Sequence, residues 1–186
     1  MTTASLTPAS LSTSRPAVRP AKPADIPGIH ALIRHYSQKG ILLPRTKRDL
    51  RKTMRDFRVI SDDARMLACA VLHLYTPTVA ELRSLAAAPD LHDAGLGRVI
   101  VEALLEEARA RDFEMVFAFT YETQFFARLG FLPIDRALVP WKAWRDCFRC
   151  PKQDCCDEVA VAHRLRSPHT IGPVSAFPIL SNHNTL

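Results

Sequence analysis

The stretch HDAGLGRVIVEALLEEARARDF, residues 92–113, decides the fold class of this chain. Two glycines, Gly95 and Gly97, stand where a helix should begin, although glycine is a poor helix former. The residues after Gly95 carry the apolar stripe of an amphipathic helix: Leu96, Ile100, Ala103 and Leu104. A glycine-rich turn that enters a helix is either a simple turn or an anion site, because the first backbone N–H groups of a helix point outwards and carry partial positive charge. A ligand that comes close to the backbone would explain both glycines.

The segments around this helix predict a mixed α/β sheet with helices on both faces. The alternating stretch TVAELRSLAAA (78–88) precedes the helix and the apolar stretch EMVFAFT (114–120) follows it, an order typical of a parallel strand–helix–strand unit. Upstream, FRVISDD (57–63) and ARMLACAVLHLY (64–75) predict adjoining antiparallel strands. Further helices are predicted within residues 23–40, 45–57 and 121–131, the first two capped by Asp25 and Thr46, and further strands within 17–21 and 157–163.

The composition indicates one globular domain between two tails. Of the 186 residues, 47% are hydrophobic, yet no apolar run is long enough to span a bilayer. Residues 1–16 and 166–186 lack periodicity, so we expect disordered tails on either side of a domain at 17–165. The net charge of +6 favours anionic partners. Because the sequence shows no signal peptide, we expect a cytoplasmic protein with reduced thiols.

Two motifs carry a resemblance to a known family. LHDAGLGRVIVEALLEEAR (91–109) resembles the pyrophosphate-binding motif of the Gcn5-related N-acetyltransferases (GNAT), and FFARLGF (125–131) resembles their late aromatic motif. The chain is most similar to the short N-acetylglutamate synthase type, which lacks an amino-acid-kinase domain. The segments that carry this closer likeness are ILLPRT (41–46), RDFRV (55–59), AELRSLA (80–86), VFAFT (116–120) and PWKAWRDCFRCPKQDCCDEVAV (140–161).

The resemblance implies acetyl-CoA as cosubstrate and a GNAT fold whose central sheet is splayed at the fourth strand. The freed backbone of that strand would pair with the pantetheine, and the glycine turn would hold the pyrophosphate, with a charge-assisted bond from Arg98. The cofactor-binding residues predicted in this way are Leu85, Ala86, Ala87, His92, Asp93, Ala94, Gly95, Leu96, Gly97 and Arg98.

Two residues are the predicted catalytic groups. On the alternating strand, Glu81, Arg83 and Leu85 should share one face, and a charged pair on a central strand is unusual unless that face is wet. The resemblance places Glu81 near the substrate amine as a base that acts directly or through a water; the alternative is a simple ion pair with Arg83. The resemblance also places Thr120 near the CoA thiolate, where the alternative is a cap for the next helix.

Arg45 is the predicted clamp for an acceptor carboxylate, because a guanidinium binds carboxylates through two parallel bonds. The resemblance adds the Leu43 backbone, and Arg83 completes the predicted acceptor site. It implies that acetyl passes to the α-amino group of L-glutamate, the first step of arginine biosynthesis. Glutamine or another amino acid or amine is the alternative acceptor.

Four of the five cysteines cluster, and this cluster has two interpretations. Thiolates at C-x-x-C spacing can hold zinc, with Cys147, Cys150 and Cys156 as ligands and His163 or a partner chain completing the set. Adjacent cysteines such as Cys155 and Cys156 rarely bind one ion together. We therefore favour structural thiols over zinc.

A basic chain with C-x-x-C also fits another class, a zinc-stabilised nucleic-acid-binding protein. Residues 45–58, RTKRDLRKTMRDFR, would then be its phosphate-tracking helix. However, the basic residues surround this helix instead of forming one face, and the glycine turn would remain unexplained. We therefore expect an amino-acid substrate, no nucleic-acid or membrane partner, and a homodimer.

Overall fold

The computed structural model describes residues 17–62, 65–91, 94–150 and 152–166. The predicted tails at 1–16 and 166–186 lie outside these ranges, apart from Arg166, and so do the predicted cofactor residues His92 and Asp93. Within the described ranges, no helix has the length and apolar character needed to cross a membrane.

Among the described residues, seven strands form one mixed sheet in the order β1-β2-β3-β4-β5-β7-β6. The pair β4–β5 is parallel and every other neighbouring pair is antiparallel. This arrangement confirms the predicted mixed sheet and its parallel crossover unit. The strands are β1 Arg19–Pro20, β2 Phe57–Ser61, β3 Met66–Leu74, β4 Val79–Ala87, β5 Met115–Thr120, β6 Leu132–Pro133 and β7 Val159–Arg164.

Helices cover both faces of the sheet, as expected. One face packs α1 against residues such as Cys69 and Val71, and the other packs α3 against Ala70 and Leu82. The helices are α1 Ile26–Gln38, α2 Lys47–Thr53, α3 Leu96–Ala110, α4 Thr123–Ala127 and α5 Pro140–Arg145. Strand β6 and helix α5 were not predicted, because two and six residues are too short for a periodic pattern.

The two predicted helix caps behave differently. The Thr46 hydroxyl accepts a bond from the Asp49 backbone N–H at 3.1 Å and begins α2 as expected. Asp25 stands at the N-cap position of α1, but its side chain makes no cap bond there. Its carboxylate instead accepts two bonds from Arg19 and one from the backbone N–H of Lys22. It therefore fastens β1 to the start of α1.

Strand β4 is kinked where it leaves β5. The parallel pairing covers only Val79–Glu81 against Met115–Phe117, so the sheet splays beyond Glu81, as the resemblance implied. Ser84 has a φ of 54°, and the register with β3 shifts at this point. The bulge changes the alternation of side chains. Leu85 therefore packs with the α3 core and does not share a face with Glu81 and Arg83, which corrects the sequence prediction.

Candidate active site

A cleft of about 460 Å³ opens where β4 and β5 separate. Arg83–Ala87 form one wall and Phe119–Glu122 form the other, while the α3 turn closes one end. Tyr36, Ile41 and Leu42, from the end of α1 and the loop after it, cover another side. The splay of the sheet thus creates a cleft in which a ligand could lie along exposed strand backbone.

The glycine turn has the geometry of an anion site. Gly95 holds the N-cap position of α3 with a φ of 75°, a conformation that favours glycine. A Cβ on Gly97 would lie 3.4 Å from the Phe125 ring, in ordinary van der Waals contact with it. The first N–H groups of α3 have no partner within the helix and are available to a ligand at this end of the cleft.

The predicted cofactor residues divide by position. Gly95, Gly97 and Arg98 line the cleft, and so do Leu85, Ala86 and Ala87 on the β4 wall. Arg98 is 68% exposed, and its Nε donates to Glu102 at 2.7 Å. Leu96 is buried in the α3 core and Ala94 is exposed, so for these two residues only the backbone is suited to a contact in the cleft.

Glu81 lies at the vertex of the cleft, as the last residue of β4 that pairs with β5. Its side chain is only 2% exposed, and it is not among the residues that line the cleft. Lys142 donates to Oε1 at 2.8 Å, the Tyr75 hydroxyl lies 3.0 Å from Oε2, and Arg83 lies 3.7 Å from the same oxygen. Glu81 therefore has three partners and is not simply paired with Arg83.

Asp146 completes a buried ionic cluster. It accepts from Lys142 at 3.1 Å and from Arg83 at 3.2 Å, and it is also hydrogen-bonded to Tyr75. Two carboxylates and two cations cancel in charge, which makes their burial tolerable. Burial lowers the pKa of Lys142, but Glu81 and Asp146 outweigh that effect and raise it overall. Burial raises the pKa of Asp146, but the bond from Tyr75 and the charge of Lys142 lower it overall.

Sequence reasoning missed three members of this cluster, namely Tyr75, Lys142 and Asp146. Lys142 and Asp146 belong to α5 and its C-terminus and lie more than 60 positions from Glu81 along the chain. Their spacing of four residues, which places both side chains on one helix face, was the available signal. In the sequence, residues 140–161 stand out only by their resemblance to the acetyltransferases and by their cysteines.

The positive charges of Arg45 and Arg83 are close enough to interact. Arg45 is half-buried, donates to the Thr53 hydroxyl at 3.0 Å and lies 5.9 Å from the centre of the Phe57 ring. Burial and the positive charge of Arg83 lower the pKa of Arg45. Such a pair of cations suits an anionic group. Arg83 lines the cleft, whereas Arg45 and the exposed Leu43 lie outside the lining residues.

Thr120 is buried at the end of β5 and lines the opposite wall of the cleft. Its Oγ1 accepts from the backbone N–H of Glu122 at 2.9 Å, so the residue does cap the following turn. A hydroxyl accepts through its lone pairs and donates through its one proton, so this cap leaves the proton available for a group in the cleft.

The cysteines are free thiols. Cys147, Cys150 and Cys156 are partly buried and Cys155 is exposed. Within the described ranges, no group of three His, Cys, Asp or Glu side chains is arranged to hold a metal ion.

Comparisons with known proteins agree with this geometry. The sequence model of the acetyltransferase (GNAT) family matches residues 30–131, more than half of the chain. An uncharacterized N-acetyltransferase of Chlorobaculum tepidum is 36% identical over 151 residues, which cover 80% of this chain and 96% of that protein. An amino-acid acetyltransferase of Mycobacterium tuberculosis is 36% identical over 124 residues, which cover 65% of this chain and 71% of that protein.

Solved structures give the same result. The N-acetylglutamate synthase of Neisseria gonorrhoeae, solved with coenzyme A and N-acetyl-glutamate, superposes with a TM-score of 0.71 at 26% identity. The match covers 84% of this chain and 36% of that one. With family, relatives and fold in agreement, the chain belongs to the acetyltransferase (GNAT) family and is an acetyl-CoA-dependent N-acetyltransferase.

Proposed function

We propose that the chain transfers acetyl from acetyl-CoA to the α-amino group of L-glutamate and so performs the first step of arginine biosynthesis. The observation that carries the proposal is the position of Arg83 on the wall of the cleft, 3.7 Å from Glu81, with Arg45 close enough for its charge to interact with that of Arg83. An amino-acid acceptor brings a carboxylate next to the amine that reacts, and such a charge needs a cationic partner in a partly dry site. The names of the relatives, amino-acid acetyltransferase and N-acetylglutamate synthase, point in the same direction.

Acetyl-CoA fits the cleft in one direction. The pyrophosphate would lie on the N-terminus of α3 at Gly95 and Gly97, with Arg98 adding positive charge. The pantetheine would run along the backbone of residues 85–87 and pair with it as an added strand. The thioester then arrives near the vertex, between Glu81 and Thr120.

The chemistry needs few groups, because the thioester is already activated. The acceptor ammonium loses two protons when it becomes an amide; one goes to the CoA sulfur and the other leaves as H⁺. Glu81 would accept the departing proton through a water, since its side chain is only 2% exposed. The Thr120 hydroxyl would donate towards the sulfur. Holding amine and thioester together contributes much of the rate.

The experiment is a turnover screen across amino acids, followed by substitution of Arg45. We expect glutamate to be the best acceptor. Arg45→Ala should raise the KM for glutamate at least about tenfold, or about 1.4 kcal/mol, with little effect on acetyl-CoA. Arg45→Lys should rescue only part of this, because a point charge cannot copy the planar fork of a guanidinium.

Arg48→Ala is the matched control, because Arg48 is an exposed arginine on α2. It should leave both Michaelis constants unchanged. A clear preference for glutamine or for a non-amino-acid amine would contradict the proposed acceptor. Loss of acetyl-CoA affinity in Arg45→Ala, with the glutamate constant unchanged, would place Arg45 on the cosubstrate instead.

A further inference from the structure

The Tyr75 hydroxyl lies between two carboxylates. Its oxygen is 3.0 Å from Oε2 of Glu81 and is hydrogen-bonded to Oδ2 of Asp146. The ring is held by Phe117 and His73, whose centroids lie 5.5 Å and 5.1 Å away, so the hydroxyl has a fixed position. The side chain is buried, and neither the predicted acceptor site nor the predicted cosubstrate site includes it.

A phenol has one proton to donate, whereas two ionised carboxylates can only accept. When both acids are ionised, Tyr75 can therefore bond to only one of them, and its other contact brings lone pairs together. One additional proton on Glu81 resolves this conflict, since Glu81 then donates to Tyr75 while Tyr75 donates to Asp146. The three side chains are thus arranged for the state in which Glu81 has just taken up a proton.

Two kinds of group around Glu81 cannot take up that proton. Burial lowers the pKa of His73, which stands opposite Glu81 on β3, to about 4, so this ring is neutral at physiological pH. The cations Lys142 and Arg83 are already engaged with the two acids. Burial raises the pKa of Glu158, which also lines the cleft, so this carboxyl binds a proton more readily than an ordinary glutamate. The charged and titratable neighbours, taken from every element that faces Glu81, are His73, Tyr75, Arg83, Lys142, Asp146 and Glu158.

We propose that Tyr75 and Asp146 form the route by which the proton taken up by Glu81 leaves the site. The inference rests on the proposed role of Glu81 as base. The proton on Oε2 of Glu81 passes to the Tyr75 oxygen as the Tyr75 proton passes to Oδ2 of Asp146. Asp146 then releases its proton to water, and Tyr75 turns its new O–H away from Glu81 and back towards Asp146. No bond other than O–H forms or breaks, and every group ends as it began.

Exposure and charge give the route a direction. The Glu81 side chain is 2% exposed, whereas the Asp146 side chain is 33% exposed and reaches solvent. Lys142 and Arg83 both contact Oδ2 of Asp146 and favour its ionised form, so Asp146 holds the proton only briefly. Asp146 is therefore the exit of the route.

Tyr75→Phe tests the inference, because it keeps the ring and removes the hydroxyl. In the first turnover Glu81 has not yet taken up a proton from a substrate, so the first acetyl transfer, measured with enzyme in excess over acetyl-CoA, should proceed at the rate of the unsubstituted enzyme. Later turnovers must wait for Glu81 to lose its proton, so kcat should fall at least about tenfold, with a burst of one product per enzyme. Both Michaelis constants should fall together with kcat, because the slowed step follows acetyl transfer and leaves kcat/KM unchanged. Added imidazole, a small diffusible base, should restore part of kcat in the variant and leave the unsubstituted enzyme unchanged.

Asp146→Asn is the second variant and should show the same burst and the same slow phase. Its control is Glu106→Gln, another carboxylate-to-amide change at an exposed position on α3, which should have no effect. Thermal unfolding of each variant checks that it folds.

If the first turnover slows as much as kcat in Tyr75→Phe, the hydroxyl only positions Glu81 and the route is overturned. If Glu81→Gln slows the first turnover while Tyr75→Phe changes nothing, the proposed proton route is wrong, but Glu81 still acts as the base. If Glu81→Gln leaves the first turnover unchanged, the proposed base itself is wrong.

Discussion

Glu81 has both carboxylate oxygens in contact with neighbouring side chains, Lys142 on one and Tyr75 on the other. A lone buried carboxylate would take up a proton to avoid an unpaired charge. The Lys142 cation provides Glu81 with a partner of opposite charge. In the proposed mechanism, a water would therefore carry the proton from the acceptor amine to the buried Glu81.

The substitution Glu81→Gln tests the role of Glu81 as the base. The amide keeps the shape of the side chain but cannot take a proton, so turnover should fall by roughly 10²–10⁴-fold while acetyl-CoA affinity hardly changes. The loss should shrink at high pH, where more of the acceptor amine is already neutral. Steady-state kinetics between neutral and alkaline pH, with a thermal melt to confirm folding, measure both effects. Rates close to those of the unsubstituted enzyme at neutral pH would rule out this role.

The sequence indicated that Glu81 was functionally important, but it did not indicate its partners Tyr75 and Asp146. A charged residue within an apolar strand is conspicuous because it must be paired or wet. Tyr75 and Asp146 carry no such signal, since a tyrosine at a strand end and an acid after a short helix are ordinary. Their importance arises only when the fold brings residues 71 positions apart into contact.

At the scale of single elements, the N-terminus of α3 was well predicted and β4 was predicted only in part. The glycines and the apolar stripe are local features, so helix and turn follow from sequence alone. The kink at Ser84 is set by the register with β3, which a period-2 pattern cannot contain. Leu85 was therefore assigned to the wrong face, although its place on the wall of the cleft was expected.

Gly97→Asp tests the α3 turn. An acid at the second position of a helix is favoured by the helix dipole, so the fold should remain intact. The carboxylate would repel the phosphates and occupy the space that they need, and acetyl-CoA binding should be lost. Calorimetric titration measures this. Gly97→Ala, which adds only a methyl group against Phe125, separates the steric effect from the charge and should bind more tightly than the Asp variant. Unchanged affinity in a folded Asp variant would show that the turn does not hold the cosubstrate.

Across the domain, short connections join β2, β3 and β4, and one parallel crossover joins β4 to β5, which is why the fold class was predictable. The segment between α4 and β7 was not, because its short elements have no periodicity of their own. The match to the acetyltransferase family also decides between the two classes of function considered from sequence.

The ion pair between Arg19 and Asp25 links stability to pH for the whole domain. The two bonds measure 2.7 Å and 2.8 Å, and the bond from Arg19, opposed by burial, lowers the pKa of Asp25. A carboxyl whose pKa is lowered by folding stabilises the protein fully above its unfolded pKa of about 4, and that stability is lost as the pH falls through the lower folded value. Asp25→Asn should therefore lower the free energy of unfolding by about 2 kcal/mol at pH 7, and by less below about pH 4.

Urea denaturation at pH 7 and pH 3 measures this difference. Asp90→Asn is the control, because Asp90 forms a similar pair with Arg65 but both side chains are exposed. Its effect on the free energy of unfolding should be clearly smaller than that of Asp25→Asn, because water and salt screen an exposed ion pair. Equal effects of the two substitutions, or a difference independent of pH, would show that the ion pair of Asp25 with Arg19 does not make stability depend on pH.

The splay of the sheet also affects how the two parts of the sheet open locally to solvent. Only three residue pairs join β4 to β5 by backbone pairing, so the sheet consists of a four-strand part and a three-strand part that share a short seam. Packing around Ile100, Val116 and Val161 still connects them through one apolar cluster. Amide hydrogens in the two parts should therefore exchange with different opening free energies. A molecule of acetyl-CoA lying in the cleft would bridge the seam and make the two parts open together.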